Sequence, residues 1–323
     1  SVVQSGSLRV LGANSLGLSS AGTEVQSAGT LEIGSGLTLA EPITLAGGKL
    51  MSLSGQNTIT NNILLNGSST IDLLQGSRLD LNPTSGNAVA VDPSSSAFNS
   101  NLTVTGAGDF VVRAPINLRD GQSVASYGDL LHSGSGVLRF QDAIMAELLS
   151  SISGGTLWMD QPSASGVIEG PDNASIFLDN GSIMRRDANE TVQSASLKLG
   201  SGGGGMSVGD GFTLIWDAAI TGSGDFTKEG DGTLRFPVTA DISYTGDTLV
   251  KAGSLDVFSN SPATATCSGT GTSNLCKKSD TDTDADTDEV SSPVKTTEQK
   301  PTLKAVLTEA VAEVRGAGEE QDA

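Results

Sequence analysis

The sequence has little of what builds an aromatic core or a histidine-based metal centre. Aromatic residues make up 4% of its 323 residues, and His132 is its single histidine. A core of Phe, Trp and Tyr is therefore not expected, and a metal site with several histidines is excluded. We expect His132 to lie at the surface beside a turn.

Positive charge is also scarce. The chain has 18 Lys plus Arg against 37 Asp plus Glu, which gives a net charge of −19. Binding to nucleic acid or to an anionic membrane surface requires clustered cations, so the composition disfavours both. No apolar run approaches the ~18 to 20 residues that a membrane-spanning helix needs. No signal peptide opens the chain, and Ser1 begins in mid-repeat, so we expect a processed or truncated product.

Glycine and short alternating strands are abundant. The chain contains 41 Gly, and a small turn followed by the pattern G-[ST]-L-x-[VIL] recurs up to about residue 260. The best copies are residues 6–10, 29–33, 154–158, 232–236 and 253–257, with looser copies at 47–50 and 76–81. Apolar side chains fall two apart with a polar residue between them, which is typical of a strand with one buried face.

The irregular spacing of these copies indicates a degenerate solenoid repeat. Three short strands per coil return the chain one ladder step higher, about 4.8 Å along the axis. We therefore predict an all-β fold, a right-handed parallel β-helix (β-solenoid), over residues 1–260. Its thin aliphatic core should include the inward side chains of Leu31, Ile33, Leu234 and Leu255.

Two segments depart from the strand pattern. Residues 142–149, DAIMAELL, are rich in helix formers and begin with Asp142 as a cap, which predicts a short helix or loop protruding from a coil. Residues 200–205, GSGGGG, predict a flexible connection, because so much glycine opposes an ordered strand.

The composition changes after Asn260. Residues 261–300 are Ser, Thr, Asp, Lys and Pro with almost no apolar periodicity, which predicts a disordered linker, and residues 316–323 predict a disordered terminus. Between them, residues 301–315 predict one short amphipathic helix. This helix is a candidate contact for a partner. A helix that binds no partner and has no function is an equally supported alternative.

Two features near this tail suggest covalent or metal chemistry. Cys267 and Cys276 lie in the short segment CSGTGTSNLC, which favours a local disulfide over two unpaired thiols. A weak calcium candidate is the run of Asp280, Asp282, Asp284, Asp286 and Asp288. It lacks the turn glycine and flanking helices of a calcium loop, so self-repelling disordered acid is the preferred interpretation.

Residues 221–257 carry the most specific pattern in the chain. It resembles the passenger-associated transport repeat of autotransporter proteins, with Phe226 in a position where the family has Leu and Pro237 interrupting a connection. The matching residues are Gly224, Phe226, Lys228, Gly230, Gly232, Thr233, Leu234, Tyr244, Thr245, Gly246, Thr248, Val250, Gly253 and Leu255.

The resemblance implies an adhesin-like β-helical passenger, secreted or displayed at the outer membrane of a Gram-negative cell. In the family, this export-type repeat assists export and folding near the C-terminal end of the passenger. A passenger of this kind would meet an unknown surface ligand, a protein or a glycan. The strands of the family's outer-membrane barrel do not follow residue 260, so we expect a fragment or a relative with an acidic tail.

Two other functions compete with this one. A polysaccharide lyase or hydrolase would need clustered carboxylates, but the pairs Asp72 with Asp80 and Asp225 with Asp231 are more typical of solubilising residues. An ice-binding or mineral-binding solenoid would need a flat threonine ladder, and only scattered pairs such as Thr58 and Thr60 occur. The sequence therefore predicts a protein that is not an enzyme and has no cofactor.

Overall fold

The structure is a computed structural model that divides the chain into a first compact unit of residues 1–278 and a second of residues 279–323. It describes residues 1–17, 21–94, 100–119, 127–146, 148–160, 168–169, 175–193, 195–258, 266–267 and 271–273. The predicted helix 301–315, the acidic run 280–288 and Cys276 lie outside these residues.

The described part of the first unit is an all-β parallel β-solenoid of about ten turns. Its strands form sheets of sixteen, eleven and five strands. Strand partners on neighbouring coils are 17 to 33 residues apart, in line with the irregular spacing of the sequence repeat. The parallel solenoid is thus confirmed, while its right-handed winding stays a prediction that the general handedness of parallel crossovers supports.

Each coil contributes strands to three faces. The sixteen-stranded sheet begins with β1 (Val2–Arg9) on β2 (Thr23–Ile33), and β2 turns a corner, because residues 23–26 pair with one strand and residues 30–33 with another. The first face continues through β4 (Ile43–Ala46), β7 (Ile63–Leu65), β10 (Val89–Val91), β13 (Ile116–Asn117), β16 (Ile144–Met145) and β19 (Ile168–Glu169). The second face contains β5 (Lys49–Ser52), β8 (Ser69–Leu73), β11 (Leu102–Gly106), β14 (Leu130–His132), β17 (Leu148–Ser151), β20 (Ser175–Leu178), β23 (Ser196–Leu199) and β26 (Ile220–Gly222).

The third face is the eleven-stranded sheet. It contains β3 (Thr38–Leu39), β6 (Gly55–Ile59), β9 (Ser77–Leu81), β12 (Asp109–Val112), β15 (Val137–Phe140), β18 (Thr156–Met159), β21 (Ser182–Arg186), β24 (Gly204–Val208), β27 (Phe226–Glu229), β29 (Thr248–Val250) and β31 (Thr266–Cys267). In the early coils, each third-face strand is followed along the chain by a strand of the first face. In the later coils, it is followed by a strand of the five-stranded sheet instead. The five-stranded sheet contains β22 (Glu190–Val192), β25 (Thr213–Trp216), β28 (Thr233–Phe236), β30 (Ser254–Val257) and β32 (Thr272–Ser273).

The core follows from the two-residue alternation of the strands. Apolar side chains point inward and stack coil on coil, and the residue between them faces outward. The four side chains predicted to point inward, Leu31, Ile33, Leu234 and Leu255, are each 0% exposed, which confirms the prediction. Burial of a Leu or Ile side chain contributes about 1.5 to 3 kcal/mol to the free energy of folding. These stacked columns are therefore the main favourable contribution to the stability of the solenoid.

The helix or loop predicted over residues 142–149 is wrong. This segment supplies Ile144–Met145 of the first face and begins β17, which pair with neighbouring strands on both sides. Helix propensity is a weak preference, and here the inward packing of Ile144 and Leu149, both 0% exposed, overrides it.

The flexible connection predicted over residues 200–205 is also wrong. Gly204 and Gly205 begin β24, which pairs with strands on both sides. A Cβ at Gly205 would overlap the carbonyl oxygen of Thr227 on the next coil. Glycine is used here because the backbones approach closely, and the ladder bonds order the segment despite its intrinsic flexibility.

Strand pairing continues past residue 260. Thr266–Cys267 pairs with Leu249 and Val250, and Thr272–Ser273 pairs with Ser254 and Leu255. These strands lie inside the segment predicted as a linker, so the solenoid extends beyond the predicted boundary. The pairing state of Cys267 stays a prediction, because Cys276 is not among the described residues.

Candidate functional site

The export-type repeat occupies two successive coils in register. Phe226 and Lys228 on β27 pair with Thr248 and Val250 on β29. In the five-stranded sheet, Leu234 on β28 pairs with Leu255 on β30. The two halves of the sequence pattern therefore lie one above the other, and each half contributes a strand to the same two faces. The role of this repeat in export stays a prediction.

The glycines of the repeat stack on glycines of the neighbouring coils. A Cβ at Gly224 would overlap the carbonyl oxygen of Gly200, and a Cβ at Gly246 would overlap that of Gly224. A second column runs from Gly232 to Gly253, whose added Cβ would overlap the carbonyl oxygen of Gly232. The pattern demands glycine at these turns because successive backbones leave no space for a side chain.

This close stacking predicts a large effect of one methyl group. We expect Gly224→Ala to destabilise the two coils by about 1 to 3 kcal/mol, because the clash is with backbone and must move a coil. Gly12→Ala is the matched control, since its Cβ would approach only the Ser15 hydroxyl at 3.3 Å. Hydrogen exchange of the amides in β27 and β29 should quicken in the first variant and not in the second; equal exchange in both would contradict the stacking argument.

Lys228 lies inside the solenoid. Its side chain is 0% exposed and sits between Met206 and Val250 in the inward column of the third face. The ammonium reaches a corner, where it donates to the carbonyl oxygens of Glu229 at 2.8 Å, Gly230 at 2.7 Å and Ala252 at 3.2 Å. Desolvation lowers the pKa of Lys228 to about 8. The lysine thus joins the turns of two coils by charge-assisted hydrogen bonds.

Aromatic side chains pack against one another inside the same two coils. The ring of Phe226 lies 5.7 Å from that of Phe236, edge to face, and 5.7 Å from that of Tyr244. The Tyr244 hydroxyl hydrogen-bonds the Thr248 hydroxyl, and burial raises the pKa of Tyr244 to about 12. This end of the described solenoid therefore carries the aromatic packing that the aliphatic coils before it mostly lack.

The surface position predicted for His132 is wrong. His132 is 2% exposed and lies in an inward column between Val104 and Ser151. Its Nδ1 is 3.2 Å from the Ser151 hydroxyl, which donates to the Ser182 hydroxyl at 3.1 Å. Burial lowers the pKa of His132 to about 4, so the ring is neutral at pH 7. His132 and Ser151, which is 0% exposed, are thus part of the packed interior of the solenoid.

The two carboxylates of the first candidate pair, Asp72 and Asp80, lie on different faces of the solenoid. Asp72 lies on the second face with Lys49 at 3.3 Å, whereas Asp80 lies on the third face with Arg78 at 2.9 Å. Asp225 accepts a hydrogen bond from the Asp247 amide at 2.8 Å, and Asp231 is exposed. No group of three His, Cys, Asp or Glu residues that could hold a metal occurs in the part of the chain that the structure describes.

The threonine pairs do not continue as a ladder. Thr58 pairs with Thr38 on one side, but its partner on the next coil is Asp80. A carboxylate on this row interrupts the flat hydroxyl surface that an ice-binding or mineral-binding face would require.

One cluster of polar side chains was missed by sequence reasoning. The outward row of the third face passes from Asp80 through Val111, Arg139 and Trp158 to Arg185. We call the side chains on this face the arginine stripe: Arg78, Arg113, Arg139, Trp158 and Arg185. The alternation pattern marks each of them as outward, but their alignment depends on the irregular lengths of the coils between them.

The arginine stripe is held in place by stacking and ion pairs. The guanidinium carbons of Arg139 and Arg185 lie 4.0 and 4.1 Å from the centre of the Trp158 ring. Arg139 Nε donates to Asp160 at 3.0 Å, and Arg185 Nε donates to Asp187 at 2.9 Å. These contacts limit the rotamers of both arginines.

Within the described residues, no helix is long and apolar enough to cross a membrane. The fold and the coil-stacked repeat define the protein's class as a parallel β-solenoid. No family model and no solved structure matches the chain.

An alignment of 129 residues that covers 37% of the chain is 33% identical to the Adhesin BmaC autotransporter of Brucella suis biovar 1 (strain 1330). The matched segment spans 4% of that adhesin's length. The likeness is therefore to a small part of a much longer protein.

Proposed function

We propose that this chain is part of an adhesin-like passenger of the autotransporter type, displayed on or released from a Gram-negative cell, and that it acts by spacing and contact. The observation that carries the proposal is the continuous parallel solenoid whose later coils hold the export-type repeat in register. The partial identity to an autotransporter adhesin supports it. Stacked coils give a repetitive surface that can present contact residues along one direction.

A non-enzymatic function is part of the proposal. The carboxylates Asp72, Asp80, Asp160 and Asp187 are engaged in ion pairs on the outer faces of the solenoid. A glycosidase or lyase would instead need an acid or base poised for proton transfer next to a second group. Release of reducing ends or unsaturated uronates from a panel of polysaccharides would contradict this part of the proposal.

Surface display tests the adhesive function directly. The chain would be fused to an outer-membrane anchor in a non-adherent bacterium, and adherence to host cells and matrix-coated surfaces would be counted. We expect adherence above that of the anchor alone, and we expect loss of this gain in a Leu234→Asp variant whose solenoid is disrupted. Equal adherence of the displayed chain and the anchor alone, at matched surface expression, would refute an adhesive function.

A further inference from the structure

We propose that the arginine stripe binds a linear acidic polysaccharide, with the glycan chain running along the solenoid axis. The inference deepens the proposed function, because it names the contact surface and the ligand class of the passenger. It is carried by the alignment of four arginines and Trp158 on one face of an acidic protein.

The spacing of the stripe suits a linear polymer. Arg139, Trp158 and Arg185 lie on three consecutive strands, which places the backbones of the two arginines about 10 Å apart along the axis. The stripe extends from β9 to β21, four ladder steps or about 19 Å. An extended glycan laid along this direction meets cations repeatedly, whereas a compact ligand would meet one or two.

The guanidinium groups form the outer layer of the stripe. Arg185 is 40% exposed while its partner Asp187 is 15% exposed, and Arg113 is 34% exposed above Asp80 at 18%. The pair of Arg139 and Asp160 is more even, at 28% and 25%. At Arg185 and Arg113, a ligand that approaches this face therefore meets positive charge first. Each arginine of the stripe is already paired with a carboxylate, and the exposed Asp109 lies beside Arg78.

Hydrogen-bonding capacity remains next to these cations. The bonds of Arg139 and Arg185 to their carboxylates use Nε and Nη2, so Nη1 is the group that would bind a ligand carboxylate or sulfate. Gln141 links Arg113 to Asp160 with bonds of 2.7 and 3.0 Å, which places amide and carboxylate groups beside the arginines.

Charge complementarity favours a glycan over nucleic acid. The net charge of −19 repels a densely charged polyanion that must cover a wide basic surface. A polysaccharide with one acidic group per one or two sugars carries fewer charges, and its hydroxyls can bind the polar groups between the arginines. A narrow stripe in which each guanidinium is partly neutralised suits this lower charge density.

The test measures binding of the purified full chain to polygalacturonate and to hyaluronate, with neutral dextran as the uncharged glycan and duplex DNA as the other polyanion. We expect binding to the two acidic glycans that weakens as salt is raised, and none to dextran. The double variant Arg139→Gln, Arg185→Gln should bind at least tenfold more weakly. The control Arg9→Gln, Arg235→Gln removes two Arg–carboxylate pairs from the other faces and should bind like the parent chain.

These outcomes distinguish glycan binding at the arginine stripe from binding elsewhere on the chain and from general binding of polyanions. Unchanged binding in the stripe variant, an equal loss in the control, or equal affinity for duplex DNA would overturn the proposal. Arg185→Gln alone decides the matter should the double variant fail to fold. Because binding is measured in solution, a chain that binds glycan without causing adherence would refute the adhesive function and leave the stripe intact. A chain that causes adherence but binds neither acidic glycan would refute the stripe and leave the adhesive function intact.

Discussion

Leu234→Asp should disrupt the later coils of the solenoid. Leu234 is 0% exposed and stacks between Leu214 and Leu255 in an inward column, where a carboxylate would find neither water nor a cation. We expect a loss of about 4 kcal/mol or more, as is usual for an unpaired charge placed in a core. Because each coil contacts mainly its neighbours, the loss should concentrate in β25, β28 and β30.

Hydrogen exchange read strand by strand would measure this effect. Thr233→Asp is the matched control, because Thr233 precedes Leu234 in β28 and its side chain faces outward. An outward substitution should change stability by no more than about 0.5 kcal/mol. The inward packing of Leu234 would be refuted if the two variants exchanged at similar rates.

The buried histidine should make the solenoid sensitive to mild acid. The pKa of His132 is about 4 in the folded protein against an ordinary value of 6.5, because burial penalises the charged ring. The unfolded chain therefore binds more protons below pH 6.5, so stability is complete at neutral pH and falls as the pH drops from about 6.5 to about 4. Integrated over this window, the loss is about 3 kcal/mol at most, and about 2 kcal/mol between pH 7 and pH 4.5.

His132→Leu isolates this contribution. The substitution matches the aliphatic members of its column, such as Val104, and removes the titrating group. Denaturant unfolding of both proteins at pH 7 and at pH 4.5 should show a smaller acid-induced loss in the variant, whatever its stability at neutral pH. The carboxylates titrate in both proteins, so an identical loss in the two would show that His132 has no part in the acid sensitivity.

Local sequence was sufficient to predict the solenoid and the inward or outward direction of most strand residues. The two-residue alternation and the small turns repeat within each coil, and both act over a few residues. This is why Leu31, Ile33, Leu234 and Leu255 were placed correctly. The same alternation puts Phe226 and Lys228 on one face, which is the signal that could have revealed the buried lysine.

Only the tertiary structure decided which residues meet between coils. Strand partners on adjacent coils are 17 to 33 residues apart, and this varying length hides the register from any local pattern. The register places His132 in an aliphatic column, turns residues 144–145 and 148–151 into strands and aligns Arg139, Trp158 and Arg185. Each of these outcomes depends on packing against the coils above and below, which outweighs the intrinsic preference of the segment itself.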